Sequence, residues 1–263
     1  MSQTTAFAAA TQPITSDTRI STDSAGLRHG DITIESPLGA FPAYYAAPDQ
    51  PGPHPVVLVV QEIFGVHEHI RDIARRLAKL GYLAIAPELY HRQGDVRGLE
   101  IAQIREIVFT VPDIQVLADL DASLDWALAN GGDAERIAIT GFCWGGRITW
   151  LYAAHQPRLK AAVAWYGKLR GFATDIQPRY PLDVIAELQA PVLALYGGAD
   201  EGIPQPDLDL LQQQLTEAQS ASQLQVYPGA PHAFHADYRP SYRAEAATDG
   251  WQRLREWFKQ HGV

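Results

Sequence analysis

The chain has 263 residues, of which 46% are hydrophobic and 19% charged, and its formal net charge is −9. This length and composition fit a single folded domain and exclude a disordered chain. The acidic balance argues against a nucleic-acid surface, which needs clustered lysine and arginine. No apolar run reaches the length of a membrane helix, so we expect neither nucleic acid nor a membrane as a partner.

The location of the protein is predicted from its cysteine content and its first residues. A single cysteine, Cys143, excludes an internal disulfide framework and suits a reducing compartment. No basic residue precedes Arg19, and the apolar patch at residues 6–10 is too short for a signal-peptide core. We therefore predict a cytoplasmic protein. Its assembly is left open between a monomer and a small homo-oligomer.

The chain begins with a segment that lacks periodicity. Residues 1–28 are rich in serine, threonine, alanine and glutamine, which predicts a poorly ordered or surface-laid arm before a domain at residues 29–263. Polar and apolar residues then alternate over residues 31–35, and residues 40–45 follow a Pro-Leu-Gly turn. Together these two segments predict an antiparallel hairpin at a sheet edge.

The remaining elements alternate between strands and helices. Continuous apolar runs predict buried strands at residues 55–61, 83–87, 137–139, 161–165, 192–196 and 223–227. Helical spacing of apolar residues predicts helices at residues 69–80, 99–108, 112–130, 208–218 and 241–259, with a further helix opening at 148–152. The fold class is therefore α/β, with a doubly wound, mostly parallel sheet that carries helices on both faces.

The cysteine lies at a sharp turn between a predicted strand and a predicted helix. Gly141, Cys143 and Gly145 fit the pattern Gly-x-nucleophile-x-Gly of the nucleophile elbow. Such a turn strains the backbone of the nucleophile, and its neighbours two residues away must lack a Cβ. The helix that follows favours a thiolate at its N-terminus. The alternative is a small buried cysteine with no chemical role.

A thiol nucleophile needs a base and a group that orients the base, because a free thiol is mostly protonated at neutral pH. On this fold the order along the chain is nucleophile, acid, histidine. Asp200 follows the strand predicted at residues 192–196, and His232 follows the last strand. Alternatives remain open, because Asp200 or Glu201 could cap a helix and His235 lies three residues beyond His232.

The sequence gives no sign of a metal site. His67 and His69 flank Glu68, but this spacing differs from the His-Glu-x-x-His pattern that puts two ligands on one helix face. We therefore expect no metal and no cofactor.

Four motifs in order along the chain resemble one known family. They are Gln61-Glu62-Ile63-Phe64-Gly65, Gly141-Phe142-Cys143-Trp144-Gly145-Gly146, the Gly-Gly-x-Asp at 197–200 and the Pro-His-x-Phe at 231–234. The chain from about residue 30 to 260 is similar to the dienelactone hydrolases, or carboxymethylenebutenolidases, of the α/β-hydrolase superfamily. The resemblance implies the α/β-hydrolase fold and a catalytic triad of Cys143, His232 and Asp200.

The resemblance also implies roles for three residues around the nucleophile. Glu62 would touch the resting thiol and be displaced when substrate binds. The backbone N–H groups of Ile63 and Trp144 would form the oxyanion hole, and the residue after the nucleophile supplies one such donor in elbows generally. Judged from the residues alone, Glu62 could instead be a strand-end acid that caps the next helix.

The sequence departs from the family at the groups that bind the substrate. The family's arginine four residues after the catalytic histidine is replaced by Ala236, although Arg239 follows three residues later. A second arginine cannot be aligned, which leaves Arg92, Arg97 and Arg105 as candidates. Trp144 stands where the family often has a smaller apolar residue.

The sequence therefore predicts a hydrolase that cleaves an ester or lactone of a small, anionic molecule through an acyl-thioester. The candidate substrate-binding residues are Arg239, Arg105 and Tyr90. A thiol-based redox protein and a catalytically silent ligand-binding module are the alternatives. No second cysteine is present to resolve a sulfenic acid, and a binding module has no use for a general base.

Overall fold

The fold is organised around one large sheet. The computed structural model describes residues 14–263, and within that range the sheet has eight strands. They are β1 (Leu27–Ile34), β2 (Phe41–Pro48), β3 (His54–Val60), β4 (Leu83–Pro87), β5 (Gly132–Phe142), β6 (Ala161–Trp165), β7 (Val192–Gly197) and β8 (Gln223–Tyr227).

Helices connect and cover these strands. They are α1 (Glu68–Lys79), α2 (Ile101–Val108), α3 (Asp113–Ala129), α4 (Trp144–His155), α5 (Gln205–Glu217) and α6 (Ala244–Gln260). Two short 3₁₀ turns, Pro181–Asp183 and Ile185–Glu187, lie in the connection between β6 and β7. No helix in residues 14–263 has the length and apolar character needed to cross a bilayer.

The strand order is β1-β2-β4-β3-β5-β6-β7-β8. β1 and β2 form the predicted antiparallel hairpin and β2 also pairs antiparallel with β4, whereas the other pairs are parallel. The chain steps from β3 outward to β4 and then back across β3 to β5. Because parallel crossovers are right-handed, this reversal puts α1 on one face and α3 and α4 on the other. The carboxyl ends of β3 and β5 meet at the reversal, where doubly wound folds bind ligands.

The predicted fold class is confirmed, and several elements begin earlier than predicted, among them β5 at Gly132, α4 at Trp144 and α5 at Gln205. α4 begins at Trp144 rather than at Ile148 because Gly145 and Gly146 belong to it. The prediction relied on the spacing of apolar side chains, which these two glycines lack. The space beside each glycine is nevertheless filled by other atoms. A Cβ on Gly145 would lie 2.5 Å from the Val60 carbonyl oxygen, and one on Gly146 would lie 2.4 Å from that of Trp165.

Part of the predicted N-terminal arm lies within the described residues. The N–H of Thr15 donates to the carbonyl oxygen of Tyr238 over 2.9 Å, and the Thr18 hydroxyl donates to the carbonyl oxygen of Asp237. The N–H of Thr22 donates to the Asp72 carboxylate on α1 over 2.6 Å. The chain therefore follows the surface up to β1, which begins at Leu27 inside the predicted arm. Residues 1–13 of the arm lie outside the described residues.

The packing of α6 against the sheet depends on one glycine. A Cβ on Gly250 would lie 2.6 Å from the ring of Trp165, which is fully buried and donates its indole N–H to Thr140 over 3.1 Å. We predict that Gly250→Ala lowers the free energy of unfolding by about 2 kcal/mol, because a fixed ring cannot yield to the added methyl group. The exposed Thr248→Ala on the same helix should stay within about 0.5 kcal/mol of wild type. Chemical denaturation measures both, and equal stabilities would contradict the prediction.

Candidate active site

Cys143 has the strained backbone of a nucleophile elbow. Its φ is 56° and its ψ −116°, in a region that side chains other than glycine rarely occupy. Its N–H donates to the Trp165 carbonyl oxygen over 3.0 Å, which fixes the turn against β6. A Cβ on Gly141 would lie 2.3 Å from the Gly145 carbonyl oxygen, so only glycine fits there. Close packing of backbone on backbone therefore holds the thiol above the sheet.

Two residues that line the cavity of the thiol have unpaired backbone N–H groups. The N–H groups of Trp144, at the first turn of α4, and of Ile63, after β3, have no hydrogen-bond partner within residues 14–263. Both residues line the same cavity as Cys143. Free N–H groups at a helix N-terminus suit a developing oxyanion. These two N–H groups are the donors that the family resemblance assigns to an oxyanion hole.

The predicted acid and base are brought together. Asp200 follows β7, and its buried carboxylate accepts from the Gly202 N–H over 2.9 Å through one oxygen. Its other oxygen lies 2.6 Å from Nδ1 of the partly exposed His232. Burial alone would lower the pKa of His232, but interaction with Cys143 and the hydrogen bond to Asp200 raise it to about 10. The imidazole is therefore coupled to the thiol on one side and oriented by the carboxylate on the other.

Glu62 has no hydrogen bond to the Cys143 sulfur within residues 14–263. Its Oε2 lies 3.2 Å from Nε2 of His67 and accepts from the Tyr238 hydroxyl over 2.6 Å. Its Oε1 has no hydrogen-bond partner within residues 14–263. Glu62 makes no side-chain cap to α1 either, so the capping alternative is also absent.

The thiol opens into a cavity of about 820 Å³. Its wall contains Cys143, His232, Asp200, Ile63 and Trp144, and its rim carries charged groups of both signs, including Glu201. Arg105 on α2 and Lys168 after β6 are exposed cations of this lining with no ion-pair partner within residues 14–263. The cavity therefore offers uncommitted positive charge to a ligand.

The other predicted substrate-binding residues lie outside this wall. Tyr90 is buried behind Trp144, with their ring centroids 4.9 Å apart, so Trp144 both packs on the core and lines the cavity. Arg239 lies over the ring of Phe64, 5.4 Å from its centroid. Neither Tyr90 nor Arg239 is among the residues that line the cavity.

Two further arginine candidates are already occupied. Arg92 pairs with the buried Asp119 over 2.6 Å. Arg97 pairs with Asp95 over 2.6 Å at a separate cavity. These pairs leave Arg105 as the predicted arginine that remains available in the active-site cavity.

Sequence reasoning missed two aromatic or basic residues of the wall. Tyr166 has φ 39°, its ring lies 5.2 Å from that of His232, and its buried hydroxyl has no partner within the described residues. Burial and the nearby charges of Glu62 and Cys143 raise the pKa of Tyr166 well above its usual value. Lys168 lies two residues further on. Both follow β6, so the rule that ligands bind at the carboxyl ends of parallel strands could have found them.

The two histidines that flank Glu68 are buried and contact carboxylates of the protein interior. His67 contacts Glu62, and His69 lies 3.4 Å from Asp237. Within residues 14–263 no group of three or more His, Cys, Asp or Glu side chains could hold a metal ion.

Comparisons with known proteins agree on one family. The sequence pattern of the dienelactone hydrolase family matches residues 41–262. A relative from Methylorubrum extorquens, named "Putative carboxymethylenebutenolidase", is 57% identical over 98% of this chain and 90% of its own length. A relative from Bradyrhizobium named "Probable 2-oxo-3-(5-oxofuran-2-ylidene)propanoate lactonase" is 34% identical over 83% of this chain and 89% of its own length.

A solved structure gives the same result. It is described as a "Putative Dienelactone Hydrolase" from Klebsiella pneumoniae, and it is 57% identical to this chain. It superposes with a TM-score of 0.87, covering 89% of this chain and 99% of that chain. Fold, elbow and relatives together define an α/β-hydrolase, an enzyme that hydrolyses carboxylic esters or lactones. The chain belongs to the dienelactone hydrolase family.

His235, the alternative base, lies in the core. Its ring is buried 4.5 Å from that of Trp165, and burial, followed by the charges of His69 and Arg76, lowers its pKa well below the usual value. The folded protein therefore keeps His235 neutral where the unfolded chain protonates it, below a pH of about 6.5. The contribution of neutral His235 to the free energy of unfolding is therefore fully present above that pH and is lost as the pH falls.

We predict that His235→Phe keeps its catalytic activity and reduces the loss of stability between about pH 6.5 and 5 by up to roughly 1.4 kcal/mol per pH unit. Urea denaturation of wild type and variant at several pH values measures this slope. His232→Asn is the matched change at the other histidine, and it should abolish turnover instead. An unchanged slope in His235→Phe would contradict the assigned burial of a neutral ring.

Proposed function

We propose that this enzyme cleaves an ester or lactone of a small, anionic molecule with Cys143 as its nucleophile. The observation that carries the proposal is the juxtaposition of an elbow cysteine, an Asp200–His232 pair 2.6 Å apart and two unpaired backbone N–H groups on one cavity. These are the parts that acyl transfer requires.

The steps follow from these positions. His232 takes the proton of the Cys143 thiol as the sulfur attacks the carbonyl carbon, and the N–H groups of Ile63 and Trp144 stabilise the oxyanion. The C–O bond of the substrate breaks, and His232, held by Asp200, protonates the departing oxygen to leave an acyl-thioester. His232 then takes a proton from water as the water attacks the thioester. Cleavage of the C–S bond releases the acid, and His232 returns its proton to the sulfur, which restores the thiol.

The proposal of an anionic substrate rests on charge. Arg105 and Lys168 offer unpaired cations at the cavity of a chain whose net charge is −9. The name of the Bradyrhizobium relative describes a lactone ring joined to a propanoate, which is a substrate of this class. We also propose a cytoplasmic location, because a single cysteine suits a reducing compartment.

We predict that Cys143→Ala loses turnover of a lactone carboxylate and of aryl esters by at least about a thousandfold, because no other group can form the acyl-enzyme. Steady-state hydrolysis measures this, and electrospray mass spectrometry of the quenched wild type should show the acyl adduct. Full activity in the alanine variant would eliminate the cysteine mechanism. Absence of multiple turnovers in the wild type would favour the redox or ligand-binding alternatives.

We predict that Lys168→Met and Arg105→Met each raise KM for a lactone carboxylate about two- to fivefold, because each removes one exposed charge attraction. KM for a neutral aryl acetate should not change. The exposed Lys259→Met on α6 is the matched control and should affect neither substrate. Equal effects on the charged and neutral substrates would show that these cations do not select for an anion.

A further inference from the structure

The carboxylate of Glu62 is held by side chains from two separate parts of the chain. The hydroxyl of Tyr238 donates to Oε2 over 2.6 Å, and Nε2 of His67 lies 3.2 Å from the same oxygen. Glu62, His67 and Tyr238 are all buried. A buried carboxylate is costly unless hydrogen bonds satisfy it, so these contacts fix its position.

The ionisation of Glu62 agrees with this geometry. Burial alone would raise its pKa, but the hydrogen bond to His67 lowers it below the usual value, and burial in turn lowers the pKa of His67. The group is therefore a carboxylate, which accepts hydrogen bonds and has no proton to donate. Because the resting thiol has no hydrogen bond to it, the carboxylate is committed to Tyr238 and His67.

The held residue is the immediate neighbour of an oxyanion donor. Glu62 follows the end of β3, and the next N–H along the chain is that of Ile63. The chain then turns through Gly65, whose φ is 78°, and reaches His67 just before α1. The contact between His67 and Glu62 therefore closes this turn upon itself.

Tyr238 joins the same turn to the segment that carries the base. It lies six residues after His232 and is fully buried. Its ring also packs against those of His67 and His69, each 5.1 Å away. One carboxylate thus ties the loop of the oxyanion donor to the loop of the catalytic histidine.

We propose that Tyr238 and His67 are positioning residues that act through Glu62 to hold the Ile63 N–H at the oxyanion site beside Cys143. The inference rests on the proposed function, because it requires an oxyanion formed at Cys143. An anchor of this kind acts on the transition state, where the oxyanion exists, and leaves substrate binding and the thiol unaffected.

The variant Glu62→Gln distinguishes a role for Glu62 as an anchor from a role as a proton acceptor. The amide oxygen of glutamine can accept the hydrogen bonds of Tyr238 and His67, but the amide cannot take a proton from the thiol. Glu62→Gln should therefore preserve an anchor and abolish a direct acid–base role. Glu62→Ala removes both.

The experiment compares Tyr238→Phe, Glu62→Gln and Glu62→Ala with wild type. Tyr152→Phe is the matched control, because Tyr152 also donates to a carboxylate, that of Asp121 over 3.0 Å, but lies on α4 away from the cavity. Two quantities are measured: kcat and KM for an aryl ester, and the rate at which iodoacetamide alkylates Cys143 as a function of pH. Alkylation needs the thiolate but no oxyanion hole, and it also reports that each variant is folded.

If Tyr238 and His67 act as an anchor through Glu62, the variants should differ in kcat but not in KM. Tyr238→Phe and Glu62→Ala lower kcat about ten- to a hundredfold with KM nearly unchanged, because a misplaced donor weakens only transition-state binding. Glu62→Gln keeps a kcat well above that of Glu62→Ala, and Tyr152→Phe stays close to wild type. The pH profile of alkylation in Tyr238→Phe and in Tyr152→Phe matches that of wild type.

Two outcomes would overturn the inference. A kcat for Glu62→Gln as low as that of Glu62→Ala, with a shifted alkylation profile, would show that Glu62 acts on the thiol. A kcat for Tyr238→Phe equal to that of Tyr152→Phe would show that no anchor exists. Full turnover in Cys143→Ala, by contrast, would refute the proposed nucleophile whatever these variants do. Tyr238→Phe and Glu62→Gln change the fewest atoms and decide the matter if Glu62→Ala does not fold.

Discussion

The close approach of backbone to backbone at the elbow sets the geometry of the whole site. Gly145 meets the carbonyl groups at the end of β3 at distances that leave no room for a Cβ, and Gly141 meets Gly145 in the same way. This contact brings the first turn of α4 against the end of β3. The N–H of Trp144 and that of Ile63 consequently face one cavity, with the strained Cys143 between them. His232 and Asp200, which follow β8 and β7, line the same cavity.

Charge in this protein is divided between the interior and the cavity. Several arginines are committed to buried carboxylates, as in the bidentate pair of Arg147 with Asp113 and the pair of Arg92 with Asp119. Removal of either partner would leave a buried charge alone, so these arginines are structural. Lys168 and Arg105, at the cavity, have no such partner within residues 14–263. A net negative chain can thus still present positive charge to a small anion.

Glu62 shows how far a motif predicts the role of a residue. The motif puts a carboxylate directly after β3, next to the N–H of Ile63 that we propose as an oxyanion donor. Its partners, however, are set by His67 and by Tyr238, which is 176 positions away in sequence. Tyr90 and Arg239 show the same limitation. Their side chains could bind a substrate, but the ring of Tyr90 packs against that of Trp144, and Arg239 lies over the ring of Phe64.

The sequence by itself determined the α/β class, the order and approximate ends of the strands, and the pairing of an elbow cysteine with an acid and a histidine after later strands. These features are local, since apolar periodicity, glycine spacing and strand-end position are properties of short segments. Only the tertiary structure decided which cations stay unpaired, that His235 is a core residue, and what Glu62 touches. These pairings join side chains that are far apart in sequence, so the packing of the whole chain decides them. Once a polar pair is buried, separating it costs free energy.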